Sequence, residues 1–225
     1  MLTLLIALPI ALVVIGPIGF YAGEVLSSAM VFIYDKAGWF AIMVMGALMP
    51  LLVMTGMHWA FVPLSLMNIN NPNVGFDTLL LVGMLASNLA QASSCLAVFF
   101  KSKNKDLKQV AGASAVSAFL AGVTEPAMYG VTLKYKKPFI CGCVAGALGA
   151  VVASFFNVAY YAYAGLPGLL TVVNAINPEN PTSITGMAIG CAIAVIGSII
   201  LVQIVGFGEE SEEVKEDIIK EVEDL

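Results

Sequence analysis

The chain has 225 residues, of which 60% are hydrophobic and only 11% charged, with a formal net charge of −5. A mean hydropathy of +0.93 excludes an ordinary soluble domain, in which about a quarter of residues are charged. With ten lysines, no arginine and no basic patch interleaved with aromatic residues, the sequence also excludes nucleic-acid binding.

In chain order, apolar runs long enough to cross a ~30 Å hydrocarbon layer as helices of about 20 residues lie near Leu2–Gly23, Trp39–Met57, Thr78–Phe100, Pro138–Tyr163 and Ser183–Phe207. They lack the alternation of barrel strands, so backbone satisfaction in lipid leaves only helices. The expected fold is an all-α integral membrane protein with about five transmembrane helices and at least one re-entrant helical hairpin. The first run begins without the basic region or cleavage site of a signal peptide and is read as a retained span.

After the second run comes Thr55-Gly56-Met57-His58-Trp59-Ala60-Phe61-Val62-Pro63, which holds the chain's one histidine. A lone histidine on an apolar face is commonly a packing residue, but Trp59 beside it supplies a flat face on which sugars stack. Asn68–Asp77, reading NINNPNVGFD, has the composition of an ordered outer loop. Asn88, Gln91, Ser93 and Ser94 then place amides and hydroxyls inside an apolar span, where they glue helices or meet a polar solute.

The lysines set the topology. Lys101–Lys108 (KSKNKDLK) and Lys134–Lys137 (KYKK) both belong in the cytoplasm under the positive-inside rule. One crossing between them would put the second cluster outside, so Gln109–Leu133 is expected to enter and return as a re-entrant hairpin. Its centre, Gly122-Val123-Thr124-Glu125-Pro126, fits that role: Pro126 removes a backbone donor and disfavours helical geometry at Glu125, then suits the first turn of a new half-helix. An ionisable group at membrane depth is costly and marks a functional position, against the alternative of a structurally paired glutamate in a kinked span.

Cys95, Cys141, Cys143 and Cys191 all fall in apolar runs and read as small buried hydrophobes, with no metal or redox spacing. Gly142 and Gly146, like Gly186 and Gly190, are spaced for close helix approach. The tail from Glu209 to Leu225 carries nine acidic residues and two lysines, with Val214, Ile218, Ile219, Val222 and Leu225 at helical spacing.

GVTEPAMYGV followed by KKPF, together with GMHWAFVP, LVVIGPIG and NLAQASSCLAVFFKSKNKDLK, resembles the membrane-embedded IIC component of bacterial sugar phosphotransferase systems. The similarity is to the β-glucoside, sucrose and trehalose branch of the glucose superfamily and covers residues 3–207. It implies a dimeric permease whose mobile transport domain carries a sugar inward, where a separate IIB domain, partnered by IIA, phosphorylates it. Glu125 matches the family's sugar-binding glutamate and His58 its binding-site histidine, with Thr124 and Gln91 as further expected substrate contacts.

The resemblance is to the C-terminal half of such a permease. Residues 1–208 would be the membrane-embedded part and 209–225 an acidic cytoplasmic tail or linker. The expected partners are the sugar, the IIB and IIA domains, a missing N-terminal half, a second copy in a homodimer, and membrane lipid. No cofactor or metal is expected, and no phosphocysteine or other catalytic group. The expected location is the bacterial cell membrane, multi-pass, with a cytoplasmic C-terminus. Two alternatives stay open: a proton- or ion-coupled secondary transporter using a Glu/His relay, and an inactive fragment.

Overall fold

The computed structural model describes residue 13 and residues 16–163 and 165–208. The amphipathic tail and most of the start of the Leu2–Gly23 run lie outside the described residues. The helices are α1 (Gly16–Lys36), α2 (Gly38–Thr55), α3 (Val62–Asn70), α4 (Leu80–Lys101), α5 (Lys105–Ala121), the short α6 (Glu125–Ala127) and α7 (Leu133–Tyr135), α8 (Lys137–Ser154) and α9 (Pro181–Val205). Short 3₁₀ segments cover Met57–Phe61 and Leu169–Ala175, and a π-helical turn covers Met128–Thr132. Among the described residues there is no strand, only an isolated antiparallel bridge between Asp77 and Tyr160. The protein is all-α and membrane-embedded: α2, α4, α8 and α9 are each long and apolar enough to cross a bilayer.

The axis of the bundle is α4, buried on nearly every side and packed against α2, α5, α8 and α9. Small residues let these helices touch. A Cβ on Gly146 of α8 would lie 2.8 Å from the Gly46 carbonyl oxygen on α2 and 3.1 Å from Ser87 Cα on α4; one on Gly149 would lie 2.5 Å from the Gly190 carbonyl on α9. Contacts this short admit only hydrogen, so Gly142, Gly146 and Gly190 sit where helices meet, whereas Gly186 faces Phe156 and Val158 of the segment after α8. Facing outward, Ile140, Val144 and Leu148 on α8 and Ile196, Ile200 and Ile204 on α9 recur every fourth residue and are exposed, forming apolar stripes suited to lipid.

The hairpin between the lysine clusters is present. α5 runs inward, Gly122 to Thr124 turn, and α6, the π turn and α7 lead back. Two contacts show the return to the starting end: Lys101 Nζ donates to the Gln203 carbonyl at 2.7 Å, and the Tyr135 ring stands edge-on to Phe207 with centroids 5.3 Å apart. Both lysine-rich segments therefore lie beside the C-terminal end of α9.

Two expected boundaries are corrected. The first helix continues past Gly23 to Lys36. The fourth run does not reach Tyr163: α8 stops at Ser154, and Asn157 adopts a left-handed φ of 51° that turns the chain out of the helix. The described residues that follow, 155–163 and 165–180, hold only the short 3₁₀ segment Leu169–Ala175, and around Pro167 they fold back over the hairpin tip. The second run also does more than span. After α2 the chain turns at Gly56 and comes back through Met57–Asn70, so that Trp39 and Phe76 border one cavity at the end opposite the lysine clusters.

Candidate functional site

Two broken segments converge. One comes through α2 and breaks at Gly56, which takes a left-handed φ of 73° and donates its N–H to the Val53 carbonyl at 3.1 Å. Glycine adopts this conformation without strain, and it delivers Met57–Phe61 as a tight 3₁₀ turn. The other comes from the lysine end and breaks at Gly122, with φ 72° and its N–H on the Ala118 carbonyl at 3.1 Å. Pro126 then sits in the first turn of the returning helix, where its missing N–H costs nothing.

His58 is 5% exposed, and its Nδ1 lies 3.3 Å from the Leu52 carbonyl oxygen, an arrangement in which the Nδ1–H donates. That leaves Nε2 as the imidazole's second polar atom. Trp59, beside it, is 60% exposed, its ring centroid 5.4 Å from the imidazole. A space of about 10 Å³ adjoins His58, bounded by Leu80, Met84, Tyr163 and Leu166, and is large enough only for about one water.

Glu125 is half-buried at the first position of the returning helix, where the helix dipole favours a negative charge. Its carboxylate accepts no hydrogen bond from a described residue, yet it lies within electrostatic reach of the His58 imidazole. One turn on, Tyr129 Oη donates to the Met54 carbonyl at 3.2 Å, joining the hairpin to the end of α2. Tyr129 belongs to the π turn, a local geometry frequent at functional sites. Thr124, buried before Glu125, makes no capping bond, while its carbonyl accepts the Met128 N–H at 2.9 Å.

Gln91 sits elsewhere. It is 1% exposed; Nε2 donates to the Phe139 carbonyl at 3.1 Å and Oε1 accepts from Thr132 Oγ1 at 3.1 Å. The side chain ties α4 to the returning arm and to α8. The structure thus brings Glu125, Thr124 and His58 to one region and places Gln91 behind it.

Asn88 is the residue the sequence left unassigned. Its Nδ2 donates to the Pro167 carbonyl at 2.8 Å and to the Gly122 carbonyl at 3.3 Å. One buried amide therefore pins the hairpin tip and the 155–180 segment together. A Cβ on Gly122 would lie 2.5 Å from the Pro167 oxygen, and one on Gly168 2.6 Å from the Leu120 oxygen. The signal in the sequence was an amide in the middle of an apolar span; its partners, far along the chain, gave none.

Residues 1–146 match the model of the family described as "Phosphotransferase system, EIIC". The chain is 41% identical over 207 residues to the arbutin-, cellobiose- and salicin-specific EIIBC component of Escherichia coli strain K12, covering 92% of this chain and 42% of that protein. It is 36% identical over 200 residues to the sucrose-specific EIIBC component of Salmonella typhimurium, covering 89% and 43% respectively. It is 41% identical over 149 residues to the β-glucoside-specific EIIBCA component of Bacillus subtilis strain 168, covering 66% and 24%. The chain spans less than half the length of these curated relatives, and no solved structure matches it. On this similarity and on its apolar helical architecture, the chain belongs to the EIIC family of phosphotransferase-system membrane components.

Proposed function

We propose that the chain binds and translocates a glucoside, of the β-glucoside or sucrose class named in its relatives, and presents it to a IIB domain for phosphorylation. The observation that carries this reading is the approach of two helix breaks, joined by the Tyr129 to Met54 hydrogen bond at 3.2 Å, which brings Glu125 within electrostatic reach of His58, with Trp59 alongside. A carboxylate with no hydrogen-bond donor among the described residues can accept charge-assisted hydrogen bonds from sugar hydroxyls, an imidazole anchored through Nδ1 offers Nε2 as a second fixed contact, and an exposed indole face suits a sugar's C–H face. Thr124 adds a hydroxyl next to the carboxylate. Gln91 acts from behind, holding the returning arm. Broken backbone at depth, with half-helix termini aimed at the solute, is a recurrent way to build a transport site.

The positive-inside rule puts the lysine end, and with it the C-terminus, in the cytoplasm. Residues 1–208 form the membrane part and the acidic 209–225 a cytoplasmic tail. Completion by a matching N-terminal half, IIB and IIA domains, homodimerisation and contact with lipid belong to the same reading. The test is equilibrium binding of a radiolabelled β-glucoside to the chain co-expressed with a matching N-terminal half. Loss of one charged hydrogen bond costs about 1.5–3 kcal/mol, so Glu125→Gln should weaken binding about ten- to a hundred-fold with normal membrane insertion, and His58→Ala should weaken it too. Unchanged affinity in both would defeat the assignment.

A further inference from the structure

At the end of the bundle opposite the lysine clusters, a cavity of about 680 Å³ opens between the ends of α1 and α2, the loop after α3 and the segment joining α8 to α9. It shares no lining residue with the space beside His58. Its volume falls within the ~300–1,000 Å³ of small-molecule sites. The walls are tied together: Thr78 Oγ1 donates to Tyr34 Oη at 2.6 Å, and Asp77 and Tyr160 exchange backbone hydrogen bonds at 2.9 and 2.8 Å.

The lining chemistry is specific. Trp39 is 50% exposed, and Phe76 stands edge-on to Tyr161 with centroids 6.0 Å apart, giving aromatic faces on one side. Amides occupy the other. Asn180 is committed to the fold, its Nδ2 donating to the Asn157 carbonyl at 3.0 Å and to Tyr161 Oη at 3.3 Å, its Oδ1 accepting from Thr182 at 2.9 Å. Asn177 is half committed: Oδ1 accepts the Glu179 N–H at 2.9 Å, and its NH₂ has no partner among the described residues. The Asn157 amide likewise has none, and Glu179 is exposed. Among the described residues, no lysine or histidine lines the cavity.

Amides, hydroxyls and aromatic faces around one carboxylate, without a cation, suit a neutral polyhydroxylated solute. Sugar hydroxyls can donate to Glu179 and accept from Asn177, and the sugar's C–H face can pack on Trp39. A phosphorylated sugar would meet the carboxylate with no compensating positive charge. We propose that this cavity is a collecting site for an unphosphorylated saccharide, separate from the Glu125 and His58 site. The ligand class rests on the sugar-transport reading above.

The chain's two tryptophans divide the sites, since Trp39 lines the cavity and Trp59 flanks His58. The full chain, purified in detergent as single-tryptophan Trp59→Phe and Trp39→Phe variants, is titrated with cellobiose and with cellobiose 6′-phosphate while emission and acrylamide quenching are followed. In Trp59→Phe, cellobiose should produce a saturable change and protect Trp39. Glu179→Gln, at an exposed position, should weaken that response about tenfold and Asn177→Ala about three-fold, whereas Glu125→Gln should leave it unchanged. The phosphorylated sugar should bind at least tenfold more weakly. A Trp39 that neither shifts nor gains protection across the millimolar range overturns the collecting site, whatever Trp59 does; equal response to the phosphorylated sugar overturns its selectivity. A responsive Trp39 with a silent Trp59 in the other variant would leave the collecting site standing, and the Glu125 and His58 reading then stands or falls on the co-expression test above.

Discussion

The two breaks that build the candidate site use the same device in different surroundings. Gly56 and Gly122 both end a helix in the left-handed conformation, at φ 73° and 72°. Around Gly56 nothing lies within 4 Å of where a Cβ would be, while at Gly122 the Pro167 carbonyl leaves no room for one. The histidine break is thus uncrowded at its glycine and is tied back through the His58 Nδ1 to Leu52 bond and by packing of Met57–Phe61 against α1, with Tyr129 touching the helix just before it. The glutamate break is clamped from outside by Asn88 and by the segment after α8. A glycine at a turn therefore answers two separate demands, conformation and clearance, and only the second ties the turn to distant sequence.

The largest test of this contrast is Gly122→Ala. It combines a left-handed penalty of roughly 1–2 kcal/mol with a backbone clash that cannot relax through a flexible side chain, so the total loss should exceed ~3 kcal/mol. Thermal unfolding in detergent should show it, and a loss no larger than that of Gly56→Ala would abolish the distinction. Asn88→Ala comes next. It strips the donor from two carbonyls inside the bundle, at a cost of about 1–3 kcal/mol, and should raise the proteolytic sensitivity of residues 155–180 along with that of the hairpin; protection of either segment alone would show that the clamp does not join them.

Gly56→Ala should cost about 1 kcal/mol, the conformational penalty alone, and should disturb sugar binding more than stability, because the residue sets the entry angle of His58. The smallest effect belongs to Tyr129→Phe. Losing one half-exposed neutral hydrogen bond to Met54 should cost about 0.5–1 kcal/mol, visible as a small fall in the unfolding temperature.

The hairpin was legible because two lysine clusters flank a single segment of helical length, and the positive-inside rule forbids that arrangement for a simple crossing. Pro126 and the charge before it located the break to within a few residues, but the chain turns at Gly122 and Glu125 is already the first residue of the returning helix, because Pro126 is accepted inside its first turn. The four long spans were legible from hydropathy, with ends misjudged where apolarity and helicity part company. Phe155 and Phe156 continue the apolar run, but Asn157 turns left-handed, so hydropathy carried the span on to Tyr163 while the helix stopped at Ser154. The return of the chain through Val62–Asn70 was not legible either, since Pro63 reads equally well as a helix start or a loop.

Within the site, Glu125 and His58 stood out as the ionisable groups of their segments. The amides of α4 could be found but not sorted. Asn88 and Gln91 are three residues apart on one helix, and what separates their tasks is that one meets Pro167, 79 residues on, and the other Phe139, 48 residues on. No local pattern encodes such partners.

Asn88 also fixes the size of the smallest part that can swing. Because one amide holds both Gly122 and Pro167, the tip cannot withdraw and leave the overlying segment behind without exposing two carbonyls in a place water does not readily reach. Any displacement of the hairpin tip therefore carries its covering strap, the residues around Pro167, along with it. A spectroscopic probe on the exposed Val173 of that strap would follow the carboxylate's excursions without touching it.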